Sequence, residues 1–466
     1  MTKNTSFEVF FYIVMMPYFV PTYTWTMFST ELVTRKVLLG SLAVSLMALP
    51  YSSKVCHAGV IIFLIAWMLE GRWGEKKLLL EQNPLVWLMP AFFLLHLIGL
   101  WHTDNIQAGW ANLDKKIFLL LVPIALASTR PFDKWEMNTL FGAFVASLLV
   151  ATLICGVNAL SLYHLRQPIP GLQNETMESY HLLSGSTLPF WLYFSNVGLA
   201  SGIDLHPTYF AMYLAFALLI LIYVYRDNAD DLTRRERIVL YGIFSYFSFF
   251  VVFLSSKIFT VATIIIVIFA ATRFITKTSK SYSIAVVSFV AVAIVSLAFF
   301  NPVSRITRVE EFFVTRITLP DAAQPETNLR VALWSVGDEA LRYTNPIFGA
   351  GTGDVNDVMS SAMQKNHVAH ELGIYDPHNQ FIHTWLALGL VGVCTLLVML
   401  LVPMYFAYRR KYFLISAFIT LFMLACITES ALEVQKGIIF FTLFSSILLF
   451  QQKGLQQAPP DELILA

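Results

Sequence analysis

Charge is what this chain has least of. Asp, Glu, Lys and Arg make up 13% of its 466 residues, about half the share usual for a soluble domain. The 31 basic and 30 acidic residues nearly cancel, leaving a net charge of +1. That balance gives no electrostatic footprint for a nucleic acid or an anionic surface, so no nucleic-acid partner is expected. Cysteine is also sparse. Cys56, Cys155, Cys394 and Cys426 fall inside apolar runs with no CxxC spacing, which argues against a disulfide framework or a cysteine zinc site and reads as four small buried hydrophobes. No period of 20 to 50 residues recurs, and no inverted repeat of the transporter kind is visible. The first apolar run is not followed by a small-residue cleavage site and is therefore expected to be retained.

Hydrophobic residues are what the chain has in excess, at 57%, with 15% aromatic and a mean hydropathy of +0.65. An all-α polytopic membrane protein is the reading this supports. Apolar runs occupy 7 to 28, 36 to 50, 55 to 69, 84 to 101, 116 to 128, 138 to 162, 207 to 225, 238 to 254, 258 to 275, 281 to 300, 380 to 407, 412 to 428 and 436 to 451. They predict twelve or thirteen spans, the first kinked or re-entrant at Pro17 and Pro21.

Basic residues in short loops set the orientation. Arg72, Lys76 and Lys77; Arg130 and Lys134; Arg226, Arg234, Arg235 and Arg237; Arg273, Lys277 and Lys280; and Arg409, Arg410 and Lys411 occupy alternate loops, which are expected to be cytoplasmic. Loops 102 to 115, 163 to 206 and 301 to 377 then lie outside, and the last carries ten acidic against six basic residues. The expected layout is transmembrane helices over 1–300 with a shorter periplasmic loop at 163–206. A large periplasmic loop follows over 301–377, then C-terminal transmembrane helices over 378–451 and a cytoplasmic tail over 452–466. The large loop is too long for a plain connection. Within it, ETNLRVALWSVGDEALRYTNP has the pattern of an amphipathic helix stopped at Asn345-Pro346, so the loop is expected to be mostly helical and to fold back as a lid.

The stretch DPHNQFIHTWLALGLVG, 376 to 392, puts a histidine at the lip of an apolar segment. At about 100° per residue, Ile382, Trp385, Gly389 and Gly392 fall within roughly 40° of the face of His378, predicting a stripe that points into a bundle. A histidine at a helix end is often only interfacial. Its ordinary pKa near 6.5 also suits proton removal near neutrality. Arg330 and Trp334 lie one turn apart on the loop helix, either as one functional face or as a solvated arginine beside a packed tryptophan. Lys257, in FLSSKIF, interrupts two apolar spans with a charge, which is a functional candidate at such a depth unless it snorkels to the interface. Arg330 and Lys257 together can neutralise a phosphate-rich leaving group. In DLHPTYFAMYLAF, His206 and Tyr209 either line the same cavity or belong to a helix start with Pro207 at its first turn. Glu429 and Glu433 in ESALEVQKG stand four apart, on one helical face, to bind substrate or to pair with Lys436.

Two motifs fail. GAGTGD, 349 to 354, imitates a phosphate cradle, but no strand precedes it and no lysine follows, so a turn is expected. HVAHE, 367 to 371, and the pair His378 and His383 match no zinc spacing. No metal or other cofactor is expected.

These residues bear a resemblance to a known family. His378-Asn379, nine residues, Gly389, two residues and Gly392 complete the H[NSQ]x9Gxx[GTY] signature, so that the chain resembles the O-antigen ligase and polymerase superfamily of GT-C type membrane glycosyltransferases. The HPTY, SSK and ESALE segments and the helix from Arg330 to Trp334 followed by NPIFGAGTGD are similar to segments in that family, over about residues 200 to 450. Lys257 departs from it, since arginine is common there.

The resemblance implies a metal-independent, inverting glycosyltransferase of the bacterial inner membrane. It would move a glycan from undecaprenyl diphosphate to an acceptor hydroxyl at the periplasmic face. His378 would be the base, and Arg330 and Lys257 would meet the departing diphosphate. His206, Tyr209, Trp334, Asn379, Glu429 and Glu433 would contact substrate, within a membrane-lipid surround. The acceptor favoured is lipid A-core, making the protein an O-antigen ligase. A polysaccharide polymerase and a protein O-oligosaccharyltransferase are the alternatives within the superfamily. A transporter of lipid-linked sugars is the alternative outside it, against which stand the long outer loop and the missing repeat symmetry.

Overall fold

The computed structural model describes residues 30–170, 190–203, 205–228, 232–274, 291, 329–365 and 376–451. The expected span 7–28, all of 281–300 except residue 291, the HVAHE segment and the 452–466 tail lie outside them. Among the described residues every regular element is helical, and β pairing is confined to one isolated bridge between Asn345 and Gly349. In chain order the main helices are α1 (Thr30–Ala48), α2 (Ser53–Leu69), α3 (Trp73–Glu81), α4 (Leu88–Gly99), α5 (Ile106–Lys116), α6 (Phe118–Ala127), α7 (Lys134–His164) and α8 (Pro207–Asp227). They continue with α9 (Arg234–Phe253), α10 (Lys257–Phe274), α11 (Leu329–Leu341), α12 (Val355–Lys365), α13 (Gln380–Arg409), α14 (Phe413–Thr428) and α15 (Gln435–Phe450).

Five helical segments among the described residues are long and apolar enough to cross a membrane: Pro84–His102, Lys134–His164, Pro207–Asp227, Arg234–Phe253 and Gln380–Arg409. The bent pair α2 and α3 makes a sixth if it is one span, and Lys257–Ala271, α14 and α15 are shorter apolar helices. The chain is an all-α, multi-pass membrane protein. A helix satisfies its backbone polar groups within itself, as a lipid environment requires.

Two local expectations need correction. The run 116 to 128 is not a full span, because α6 has only 10 residues and holds Pro123, a rise of roughly 15 Å against a hydrocarbon core of about 30 Å. The preceding segment is an amphipathic helix, α5, that ends on Lys116 at the joint with α6. Cys56, Cys155 and Cys426 are buried, but Cys394 is exposed on α13.

The chain forms two compact units. One holds residues 30–76 and 129–291. There α1 packs on α2 and α7, and α8 packs against α7, α9 and α10 with 89% of its apolar window buried. The start of α7 is fixed by a capping box between Asp133 and Glu136. Arg35 grips the same Glu136 through Nε at 2.8 Å and Nη2 at 2.7 Å, the paired geometry that a guanidinium offers a carboxylate.

The other unit holds residues 77–128 and 329–451. In it α13 packs on α4, α14 and α11, and α15 packs on α6. The loop helix predicted from ETNLRVALWSVGDEALRYTNP is α11, which ends three residues before the Thr344-Asn345 turn. Beyond it the chain runs as a strap over Asn345–Gly351 that interrupts α13. Gly389 adopts φ 63°, ψ −160° inside that helix. Around the break the strap supplies the missing backbone partners: Leu390 N donates to Pro346 O at 2.9 Å, Val391 N to Ile347 O at 3.2 Å, Ala350 N to Leu386 O at 2.8 Å and Gly351 N to Ala387 O at 3.0 Å. A Cβ on Gly389 would overlap the Ile347 carbonyl, and one on Gly349, φ 75°, would overlap that of Ala387. Only glycine combines this positive φ with so close a backbone approach.

Candidate active site

The site is built where α13 begins. Asp376 accepts a hydrogen bond from His378 N at 2.9 Å, an Asx turn that lets a non-glycine residue take the left-handed conformation, here φ 47° at His378. Asn379 follows as the N-cap, its Oδ1 accepting from Phe381 N at 2.9 Å and Ile382 N at 3.1 Å. Its Nδ2 donates to Ile427 O at 3.1 Å, tying the start of α13 to the end of α14. The predicted stripe down from His378 is therefore overturned: the histidine lies outside the helix, and the helix is broken at Gly389.

Glu429 is the C-cap of α14, in extended conformation. Its carboxylate is 6% exposed and divides its two oxygens. Oε2 is 3.1 Å from His378 Nδ1, and Oε1 accepts from Arg330 Nη2 at 2.7 Å. Ser430 Oγ donates to Asp376, closing the group from below. Arg330 arrives on α11, which comes close because Gly337 leaves room. A Cβ there would lie 2.8 Å from Ile382 Cγ2. His378 and Arg330 keep side-chain exposures of 34% and 39%, so both reach the surface while Glu429 does not.

An ionised carboxylate only accepts hydrogen bonds. His378 Nδ1 therefore carries the hydrogen, and Nε2 of the neutral ring holds a bare lone pair. Burial alone would push the His378 pKa down. The hydrogen bond and charge of Glu429, with Asp376 behind, outweigh it and hold the imidazole above its ordinary value despite the opposing charge of Arg330. The result is a base oriented and polarised by a second group, the arrangement that nucleophilic and acid–base sites share.

Glu433 does not sit on one helical face with Glu429, because residues 429–434 form a turn between α14 and α15. Its partner is Lys116, with which it forms a buried ion pair. Gln380 Nε2 donates to Glu433 Oε1 at 3.2 Å, and His383 Nδ1 lies 3.4 Å from the same oxygen. Burial would raise the Glu433 pKa, but the charges of His383, Lys116 and His96 hold it below the usual carboxylate range. Lys116, Gln380, Asp376 and Ser430 are neighbours that the sequence reading missed. Lys116 carried a signal, since a lysine heading an apolar run is unusual.

Trp334 lies one turn along α11 from Arg330, as its spacing predicts, and its indole Nε1 is buried with no hydrogen-bond partner among the described residues. His206, Tyr209 and Lys257 belong to the other unit. There His206 caps α8, its Nδ1 accepting from Thr208 N at 3.3 Å, and Tyr209 is buried at 6% exposure with its ring edge-on to His206. Lys257 is an exposed first residue of α10. GAGTGD cradles nothing: the amides of Gly349, Ala350, Gly351, Thr352 and Asp354 bond to backbone carbonyls, and the Asp354 carboxylate accepts from Asp104 N and Asn105 N.

Residues 242–397 match the family model described as O-antigen ligase. Over those residues the chain is similar to the O-antigen ligase family. A comparison with curated proteins found no match. The O-antigen ligase segment takes in Lys257, Arg330, Trp334, His378, Asn379, Gly389 and Gly392. Glu429, which touches both His378 and Arg330, lies beyond its end, as do Glu433, Lys116, His206 and Tyr209. The match supports a glycan-transferring ligase or polymerase.

Proposed function

We propose that this protein is an O-antigen ligase. It takes a glycan from undecaprenyl diphosphate at the periplasmic face of a bacterial inner membrane and joins it to a hydroxyl of lipid A-core. The reading rests on one observation: Glu429 bridges His378 and Arg330 at the mouth of α13, inside a unit that holds most of the matched segment.

Each part then has a task. His378 Nε2 takes the proton of the acceptor hydroxyl as its oxygen bonds to the anomeric carbon. The bond from that carbon to the diphosphate oxygen breaks, and the electron pair leaves on the diphosphate. Glu429 keeps Nδ1 protonated and stabilises the imidazolium that forms. Arg330 bonds to Glu429 Oε1 and presents positive charge at the surface, where a diphosphate is held by charge and by paired hydrogen bonds. Lys257 is a second candidate cation on the sequence argument. Attack opposite an α-linked diphosphate inverts the anomeric carbon, and with the charge supplied by side chains the scheme uses no metal. The burial of Glu429 and Glu433 favours orienting roles over substrate contact, while Asn379, bonded on both sides, fixes the loop that carries the base.

The experiment is the surface glycolipid profile of a deletion strain. Lipid A-core without attached polymer is the outcome expected of a ligase. Core carrying a single repeat points to a polymerase, loss of glycan from proteins alone points to an oligosaccharyltransferase, and an unchanged profile removes the reading.

A further inference from the structure

A second polar layer lies behind the His378 cluster, and its geometry points to a use. Lys116 is fully buried at the end of α5. An ammonium out of water is retained only with a close partner, and Glu433 provides it. The other oxygen of Glu433 accepts from Gln380. Gln380 is itself fully buried, with Nε2 also donating to Thr384 Oγ1 at 3.1 Å and Oε1 accepting from Leu432 N at 2.7 Å. Two segments are thus bolted together at a second point. Gln380 stands two residues after His378, and Leu432 and Glu433 stand three and four after Glu429. The reach between Glu429 and His378 is set at one end by their own bond and at the other by this clamp.

We propose that Lys116 is a positioning residue for glycan transfer, acting through Glu433 and Gln380 to hold the 429–434 turn so that Glu429 meets His378. The proposal rests on the reading of His378 as the base. A packed apolar set would fill the same space without the desolvation of two ions. What the polar set adds is register, because hydrogen bonds to Leu432 N and Gln380 fix which residue of the turn faces α13. The groups around His378 are Glu429, Asp376 and Arg330, and those around Glu433 are Lys116, His383 and His96, with Lys115 beside Lys116.

The test compares the full-length protein with Lys116→Met, Glu433→Gln and the double variant, each reconstituted in vesicles with a lipid diphosphate-linked glycan and an acceptor. Folding is followed by thermal unfolding in detergent. Lys116→Met is expected to lower kcat by about 10- to 100-fold, as a displacement of about 1 Å does, with donor KM little changed. Its acid limb in the pH–rate profile should move to lower pH as the Glu429 contact loosens. The double variant leaves no unpaired buried charge and should fold, but without the clamp it should keep the lowered kcat and the shifted limb.

A folded Lys116→Met with unchanged kcat and limb overturns the proposal, and so does a kcat loss with the limb unmoved. If Lys116→Met does not fold, the double variant decides. A lowered kcat with a shifted limb supports the clamp, whereas a folded double variant with wild-type kcat or an unmoved limb overturns it. His378→Ala, run beside them, separates the two layers of argument: its retained activity removes the site reading itself, whereas its inactivity with an unmoved Lys116→Met limb removes only the positioning role.

Discussion

The carboxylate of Glu429 and the imidazole of His378 meet at 3.1 Å, Oε2 against Nδ1, across a sequence separation of 51 residues. That contact fixes the tautomer of the ring and leaves Nε2 as the proton acceptor.

His378→Ala is expected to abolish transfer, a loss on the order of 10²- to 10⁴-fold for a general base, in a protein that still inserts and unfolds at the normal temperature. Full activity in that variant removes the base assignment. Asn379→Ala is expected to weaken activity less, by loosening the cap, and measured turnover of the two variants ranks them.

The pH–rate profile carries its own sign. A base must be neutral to act, and the pKa of His378 is held above the usual 6.5 by Glu429. Transfer should therefore fall as the pH drops through that raised value, with the acid limb lying above 6.5. In Glu429→Gln the charge is gone and burial is opposed by Asp376 alone, so the limb should move downward while turnover falls. A limb that stays in place in Glu429→Gln would falsify the pairing as its cause.

Arg330→Ala is expected to lower transfer by on the order of 10²-fold, the scale of removing one charge-stabilising donor. Arg330→Lys should recover only part, because a lysine keeps the charge but not the fork that meets Glu429 and a phosphate together. Equal turnover of the lysine and wild-type proteins counts against the paired contact.

Lys257→Ala should lose most activity if that lysine meets the diphosphate, and Lys257→Arg should be tolerated. A neutral Lys257→Ala returns the residue to snorkelling at the interface.

Gly389→Ala is expected to destabilise the fold by at least ~1–3 kcal/mol, the strain of forcing a side chain into an unfavourable backbone region, beyond the clash with Ile347. Thermal unfolding in detergent measures it, and an unchanged midpoint contradicts the break in α13.

Several of these relationships are legible in the sequence and others are not, for physical reasons. Residues Leu329–Leu341 announce a helix through periodic apolar positions, whereas a helical stripe read down from His378 begins two residues too early, because Asn379 is the cap and the helix starts at Gln380. The partnership of Glu429 with His378 and Arg330 is not legible, because four-residue spacing suggests a helical pair with Glu433 where the chain in fact makes a turn. Lys116 is harder still. Its partner lies 317 residues away, and a lysine pair at the edge of an apolar run reads equally well as a marker of topology. Gly389 and Gly392 suggest helix packing by their spacing, whereas Gly389 marks a place where a helix stops and a strap takes over its hydrogen bonds.

That strap has a mechanical consequence. A continuous helix transmits tilt along its length, so a change in bilayer thickness that reorients its lower half also swings its upper end. In α13 the two sides of the break are instead each bonded to Asn345–Gly351, Leu386 and Ala387 before it and Leu390 and Val391 after it, so the strap carries force between the lower half of the helix and the turn that holds His378. The placement of His378 thereby depends on the strap, and loosening the strap should make turnover more sensitive to the acyl-chain length of the surrounding vesicle.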